Sequence, residues 1–491
     1  MKNGDSFTFK DINMSFKILS SVHAVLLSLT LVISACSKLI EVAPPTTSIT
    51  DKSIFQSDET AIAMLTGIYS KMSNSSFQQD DYPPTSFYWG LSSDEFTLHG
   101  NASSNITYTQ FYTNSLTDQT NEFYWFNFYN TIYMANAAIE GLNQSKTLTP
   151  KVKQQLIGES LFMRAFCYFY LTNLYGDVPL ALTTDYVTNR QLGRSIPTLV
   201  YQQIINDLKE AKELLSSEYL ASTLLKTTSE RIRPNKWVAS ALLSRAYLYS
   251  NDYRNAEIEA STVINNRSLY NLSQLEEVFL KNSQEAIWQL QGVTLGWNTK
   301  DARLFIIPAT GPDLDHPIYL STALLNNIES GDNRGAQWIG EYIDTTTTPF
   351  ITYHYPYKYK NGTLDNPTTE YEMVLRLAEQ YLIRAEARTK LGKLNEANED
   401  IDIIRIRAGL KGTIATTQSE LLDAILHERQ IELFSEWGHR WFDLKRTERA
   451  DKVMGQWTSI KGGTWSNYKQ FYPLPLNEIK NAPNIKQNQG Y

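Results

Sequence analysis

Glu428, Arg429 and Glu432, followed by Arg440 and Asp443, are the residues of this chain that look most like an active site. Paired carboxylates in such a cluster could supply the acid and base of glycoside hydrolysis. Their neighbours argue otherwise. Each acid stands beside an arginine, and a carboxylate facing a guanidinium is held ionised, the wrong direction for a general acid. These charges therefore read as structural ion pairs, as do Arg376, Glu379 and Glu386. The six histidines, at positions 23, 99, 316, 354, 427 and 439, show no His-x-x-x-His spacing and have no cysteine partners, so no metal site is expected. No phosphate-cradling Gly-Lys-Ser/Thr loop and no Gly-x-Ser-x-Gly elbow occurs. No catalytic residue and no cofactor is assigned.

Covalent chemistry is expected at one place. Cys36 is one of two cysteines and ends the apolar run Ala24–Ala35, "AVLLSLTLVISA". That run is too short to cross a bilayer, which takes roughly 20 residues, and with Lys17 before it and small residues after it reads as a secretory signal peptide over 1–35. Met14 would open a more compact signal than Met1. Ile33-Ser34-Ala35-Cys36 resembles a bacterial lipobox, whose cysteine is acylated and becomes the new N-terminus. Each buried methylene is worth roughly 0.8 kcal/mol, so two or more chains hold firmly where one does not. Residues 36–50, with Pro44-Pro45 and a Thr/Ser run, then form a tether that cannot enter a helix or a central strand. Cys167, inside "FMRAFCYFYL", reads as a small buried hydrophobe rather than a disulfide partner. The net charge of −7, with no Lys/Arg cluster, argues against nucleic acid as the main partner.

The elements that must position the rest are helical. Apolar stripes at three/four spacing predict helices over 59–73, 121–143, 150–175, 198–216, 234–250, 253–265, 369–391, 394–408 and 418–437. Thr149-Pro150 opens the third as cap and first-turn proline. Gly438 is placed to end the last one and turn the chain back. Two hairpins resemble each other at an offset of 141 residues: Ala246 to Ala256 around Tyr253, and Ala387 to Ala397 around Leu394. Small residues on both helices with a ten-residue gap are similar to the tetratricopeptide unit. Two stretches, 76–120 and 270–368, lose the helical period and gain Tyr, Trp, Gly, Pro and Asn; long insertions of this kind are usually functional.

Five blocks in order carry a wider resemblance: Glu159–Leu180 with Arg164 and "LYGDVPL"; Asn235–Tyr249; Leu375–Ala387 with Ile404–Leu410; His427–Arg446; and the close, "FYPLP" at 471–475 with "QNQGY" at 487–491. With them the chain resembles the SusD/RagB family of outer-membrane nutrient-capture lipoproteins. The resemblance implies a mostly α fold of tetratricopeptide-like helix pairs over residues 51–491, with an irregular, loop-rich ligand-binding face. It implies a protein anchored by its lipidated Cys36 at the cell outer membrane, facing the exterior. There it would capture oligosaccharide or polysaccharide and deliver it to a SusC-like TonB-dependent channel without cleaving it. Capture of peptide or another nutrient, or a protein-binding scaffold role, are the alternatives. The family's tether often carries acidic residues directly after the cysteine, whereas Ser37-Lys38 offers none until Glu41.

A sugar ring presents a face of C–H groups and a rim of hydroxyls, so it pairs with an aromatic face edged by polar groups. The two irregular stretches supply these. Trp297 and Trp338, with Gly296 before one and polar neighbours around both, are expected to be exposed and are the first candidates. Tyr319, Trp89, Tyr108, Tyr112, Asn101 and Arg303 complete the set.

Overall fold

The computed structural model describes residues 52–75, 83–120 and 122–491; the signal run, Cys36 and the tether over 36–50 lie outside them. Lys52–Tyr491 pack as one unit. The first half comprises α1 (Asp58–Ser75), α2 (Thr85–Ser92), β1 (Phe96–Leu98), α3 (Ile106–Tyr112), α4 (Glu122–Gln144), α5 (Pro150–Tyr175), α6 (Pro197–Leu214), α7 (Lys236–Tyr249) and α8 (Tyr253–Ile264). In the second half come β2 (Ala286–Leu290), α9 (Lys300–Phe305), β3 (Ile318–Leu320), α10 (Asn333–Trp338), β4 (Ile339–Asp344) and β5 (Ile351–Pro356). They are followed by β6 (Glu372–Arg376), α11 (Leu377–Lys390), α12 (Leu394–Arg407), α13 (Gln418–Leu433) and α14 (His439–Arg446). Among the described residues no helix is long and apolar enough to cross a membrane.

The helix starts are written in the caps. Asn235 accepts from the N–H groups of Trp237 and Val238 to open α7, Asp252 does the same for Asn255 in α8, and Thr417 with Glu420 forms a capping box on α13. Helix α5 is buried along nearly its whole length because it packs against both α4 and α6. One arginine ties the three together: Arg164 forks onto Asp207 of α6 at 2.7 and 2.8 Å and donates to Asn136 of α4 at 2.9 Å. The two hairpins are α7–α8 and α11–α12. Ala246, Ala256, Ala387 and Ala397 are completely buried, which lets the paired backbones approach, and α8 packs against α11 so that one hairpin stacks on the other.

Three expectations about elements are corrected. Residues 372–376, assigned to a helix over 369–391, form β6, antiparallel to β2 with a bulge. A short run buried on both faces has no period to read, so pairing with Ala286–Leu290 decides it. Among its described residues the stretch 76–120 holds the helices α2 and α3; every residue of α2 is buried, and a helix buried all round shows no stripe. Helix α13 stops at Leu433, four residues early, and Ser435, Trp437 and Gly438 turn the chain with positive φ into α14. Gly438 thus begins a helix instead of ending one. Its φ is +70°, and a Cβ there would lie 2.7 Å from Cε3 of Trp89. Gly438→Ala should cost about 1–3 kcal/mol of stability, read from a urea unfolding curve, since left-handed backbone and a buried clash are imposed together.

Candidate ligand-binding site

The charged helices form a buried network. Arg376 reaches Glu285, Glu432 and Glu436 at 2.8, 2.6 and 2.8 Å, while Arg334 reaches Asp332, Glu428 and Glu432 at 2.7, 2.5 and 2.9 Å. Arg407 pairs with Glu285 and Glu432, Arg440 with Asp94, and Asp443 sits between Arg429 and Arg446. Burial raises the Glu432 carboxyl, but the guanidiniums of Arg407, Arg376 and Arg334 more than reverse this and hold it well below the usual range. Glu428 goes the other way: burial outweighs Arg334 and raises it, against the expectation that every acid here is depressed. Its carboxylate is nonetheless fully engaged, by Arg334 and Arg405, inside the scaffold.

That network also takes one of the two leading aromatic candidates. Trp338, expected at the surface, has 0% exposure. Its indole N–H donates to the Leu275 carbonyl at 2.9 Å, and Lys358, Arg407 and Arg376 lie 4.8, 5.7 and 5.9 Å from its ring centre. It screens buried cations and offers no face to a sugar. Trp89, also 0% exposed, is stacked between Tyr124 and Tyr170 at 5.4 and 5.1 Å. Of the polar neighbours that suggested exposure for Trp338, Asp332 and Arg334 are buried ion-pair partners, while Asn333 and Gln337 are exposed without bringing the indole out with them.

Trp297 is different. It lies half-buried on a loop between β2 and α9, with clefts on both of its sides. The loop is built tightly. Gly292 admits no side chain, since a Cβ would meet the Asn298 carbonyl at 2.3 Å. Asn298 donates to the Pro367 carbonyl and accepts from the N–H groups of Thr369 and Glu370 at 2.8 and 3.0 Å. Thr299 caps α9, and Ser86 of α2 donates to Asp301 at 2.7 Å. The Arg303 guanidinium rests 4.7 Å from the Trp297 ring centre. The outer cleft, about 280 Å³, is bordered by Trp297, Arg303 and Tyr108, with Lys300, His316 and Pro84 among the other walls. The smaller inner chamber shares Trp297, Lys300 and Arg303 and is floored by Glu372 and Trp437.

Three sequence-derived candidates, Trp297, Arg303 and Tyr108, therefore meet in one cleft. Three others gather on a second aromatic patch. Tyr319 meets Tyr353 edge-on at 5.1 Å, Tyr353 also meets His99 at 5.6 Å, and Asn101 donates its backbone N–H to His99. Tyr112 is pushed above the phenol range by burial and then by the neighbouring Tyr319. Sequence reading did not select Lys300, His316, Glu372 or Trp437. Lys300 was legible as the residue one helical turn from Arg303; Glu372 and Trp437 come from β6 and the α13–α14 turn, which only the fold brings here.

The comparisons with known proteins agree with this architecture. Residues 322–491 match the model of the SusD family, and residues 40–248 match a SusD-like model described as "Starch-binding associating with outer membrane". The chain belongs to the SusD family. Among SusD-like relatives, SusD-like protein P38 of Formosa agariphila is 26% identical across 98% of this chain and 99% of its own. The starch-binding protein SusD of Bacteroides thetaiotaomicron is 25% identical across 72% of this chain and 74% of its own. The solved structure of a laminarin-binding SusD-like protein matches with a TM-score of 0.72 at 24% identity, covering 88% of this chain and 99% of that one. The mostly α, helix-pair fold expected from the blocks is the SusD-like fold.

Proposed function

We propose that this SusD-like protein is a non-catalytic glycan-binding lipoprotein of the outer membrane, held by acylated Cys36, that captures oligosaccharide and hands it to a SusC-like TonB-dependent channel. The observation that carries the reading is the outer cleft: an indole on a braced loop, with the Arg303 guanidinium over its ring and Tyr108 in the same wall, around a space of about 280 Å³. An aromatic face with polar groups at its border is what a pyranose needs. The names of the relatives support it, since one is described as starch-binding and another as laminarin-binding. The description of the matched model places such proteins with the outer membrane. The engagement of Glu428, Glu432 and Asp443 by arginines supports binding without cleavage.

Calorimetric titration of the chain from residue 37 onward against soluble glycans and peptides tests this. The expected result is saturable glycan binding that weakens at least about tenfold, or about 1.4 kcal/mol, in Trp297→Ala. Binding undiminished in that variant would move the site to the Tyr319–Tyr353 patch. Binding of peptides alone would overturn the glycan reading.

A further inference from the structure

We infer that the Trp297 cleft takes an acidic glycan, one whose sugars carry carboxylate or sulfate groups; this rests on the glycan reading above. The chain as a whole is acidic, with a net charge of −7, yet the side chains around Trp297 lean the other way. Lys300 and Arg303, one turn apart on α9, border both chambers. Among the described residues lining the outer cleft, Asp315 is the one carboxylate. Asp313, nearby in sequence, is engaged by the His316 ring at 2.8 Å and by the N–H groups of Asp315 and His316 at 2.9 and 2.8 Å. Asp365, exposed beside Gly296, is not part of the lining.

Beneath the indole the negative charge is further reduced. Glu372, the one acid among the described residues lining the inner chamber, is raised well above the carboxylate range by burial, then by Asp301 and Glu436. Asp301 is itself pushed up to about 7, chiefly by burial. Burial thus disfavours negative charge on the floor while Lys300 and Arg303 bring positive charge to the rim, and the field in the cleft attracts anions.

Arg303 sets the class of anion. A guanidinium resting over one face of an indole holds a planar fork of donors beside the ring, suited to bidentate bonds with carboxylate or sulfate. A sugar seated in the cleft against Tyr108 and the indole would bring its acidic substituent to that fork. An acidic peptide would use the cations but leave Trp297 and Tyr108 without a ring-shaped partner, so the glycan is favoured.

The test is affinity electrophoresis of the lipid-free chain through gels containing polygalacturonate, alginate, chondroitin sulfate, fucoidan or neutral laminarin. Each acidic polymer is paired with its carboxyl-reduced or desulfated form. The expected result is retardation by at least one acidic polymer, weakened about tenfold or more by neutralisation and by added NaCl. The same loss is expected in the Lys300→Gln/Arg303→Gln double variant, with its urea unfolding curve unchanged. Carboxyl reduction and desulfation tell the two sources of charge apart. Equal retardation by charged and neutralised forms, or by laminarin alone, would overturn the acidic preference while leaving glycan capture standing. Retardation by none of them would overturn both, as would calorimetric binding of acidic peptides only.

Discussion

Arg376→Ala is expected to lower the unfolding free energy by about 3–5 kcal/mol, the range for removing one partner from a buried ion pair. Arg376 is 2% exposed and is the hub where β6 meets the α13–α14 turn. Its Nη1 serves Glu285 and Glu432, its Nε serves Glu436, and its Nη2 donates to the Glu432 carbonyl at 2.6 Å. Truncation strands three carboxylates in the interior, with Arg407, Arg334 and Lys358 left to share them. Desolvation, already spent on those acids, is then no longer offset. Urea unfolding followed by tryptophan fluorescence measures the loss. A decrease below about 1 kcal/mol would show that the network is redundant and that Arg376 is not its hub.

Glu95→Gln is expected to stabilise the protein at neutral and mildly alkaline pH. Glu95 is 2% exposed and is raised to about 8, first by burial and then by Asp94. Among the described residues it has no ion-pair partner; its carboxyl accepts from the Ser435 N–H at 3.2 Å and from the Ser93 hydroxyl at 3.5 Å. An unfolded glutamate titrates near about 4.3. Between that value and about 8 the folded state holds a proton the unfolded state has released. Its contribution is therefore fully present below about 4.3 and is lost as pH rises through 8. The neutral amide keeps the shape and removes this loss. The gap between variant and parent should open by up to about 1.4 kcal/mol per pH unit, reaching a few kcal/mol near pH 8. Parallel stability–pH profiles over that window would contradict the assignment, and a destabilised variant would mean that the carboxylate is ionised and paired.

Arg376 was legible in the sequence as a structural charge, but its partners, and the burial of Glu95, were not. The acids and arginines of the C-terminal blocks could be read as structural, because like-spaced opposite charges have few other uses inside a helical body. That Arg376 lies on a strand, and that Glu285 from β2 completes its site, follows from long-range pairing with no local pattern. The aromatic candidates divided for the same reason. Trp297 and Trp338 have equally polar neighbours in sequence, but Asp332 and Arg334 beside Trp338 turn inward as a charge network whereas Arg303 stays at the surface on the indole.

The sequence by itself determined the helical class, the paired hairpins and the family, because apolar period, small residues at contacts and capping side chains act over a few residues. It also marked the aromatic stretch that holds the cleft. Only the tertiary structure decided which aromatics face solvent and which cations rim the cleft. It also decided which acids beneath are raised by burial, since burial and field at a point are sums over elements far apart in the chain.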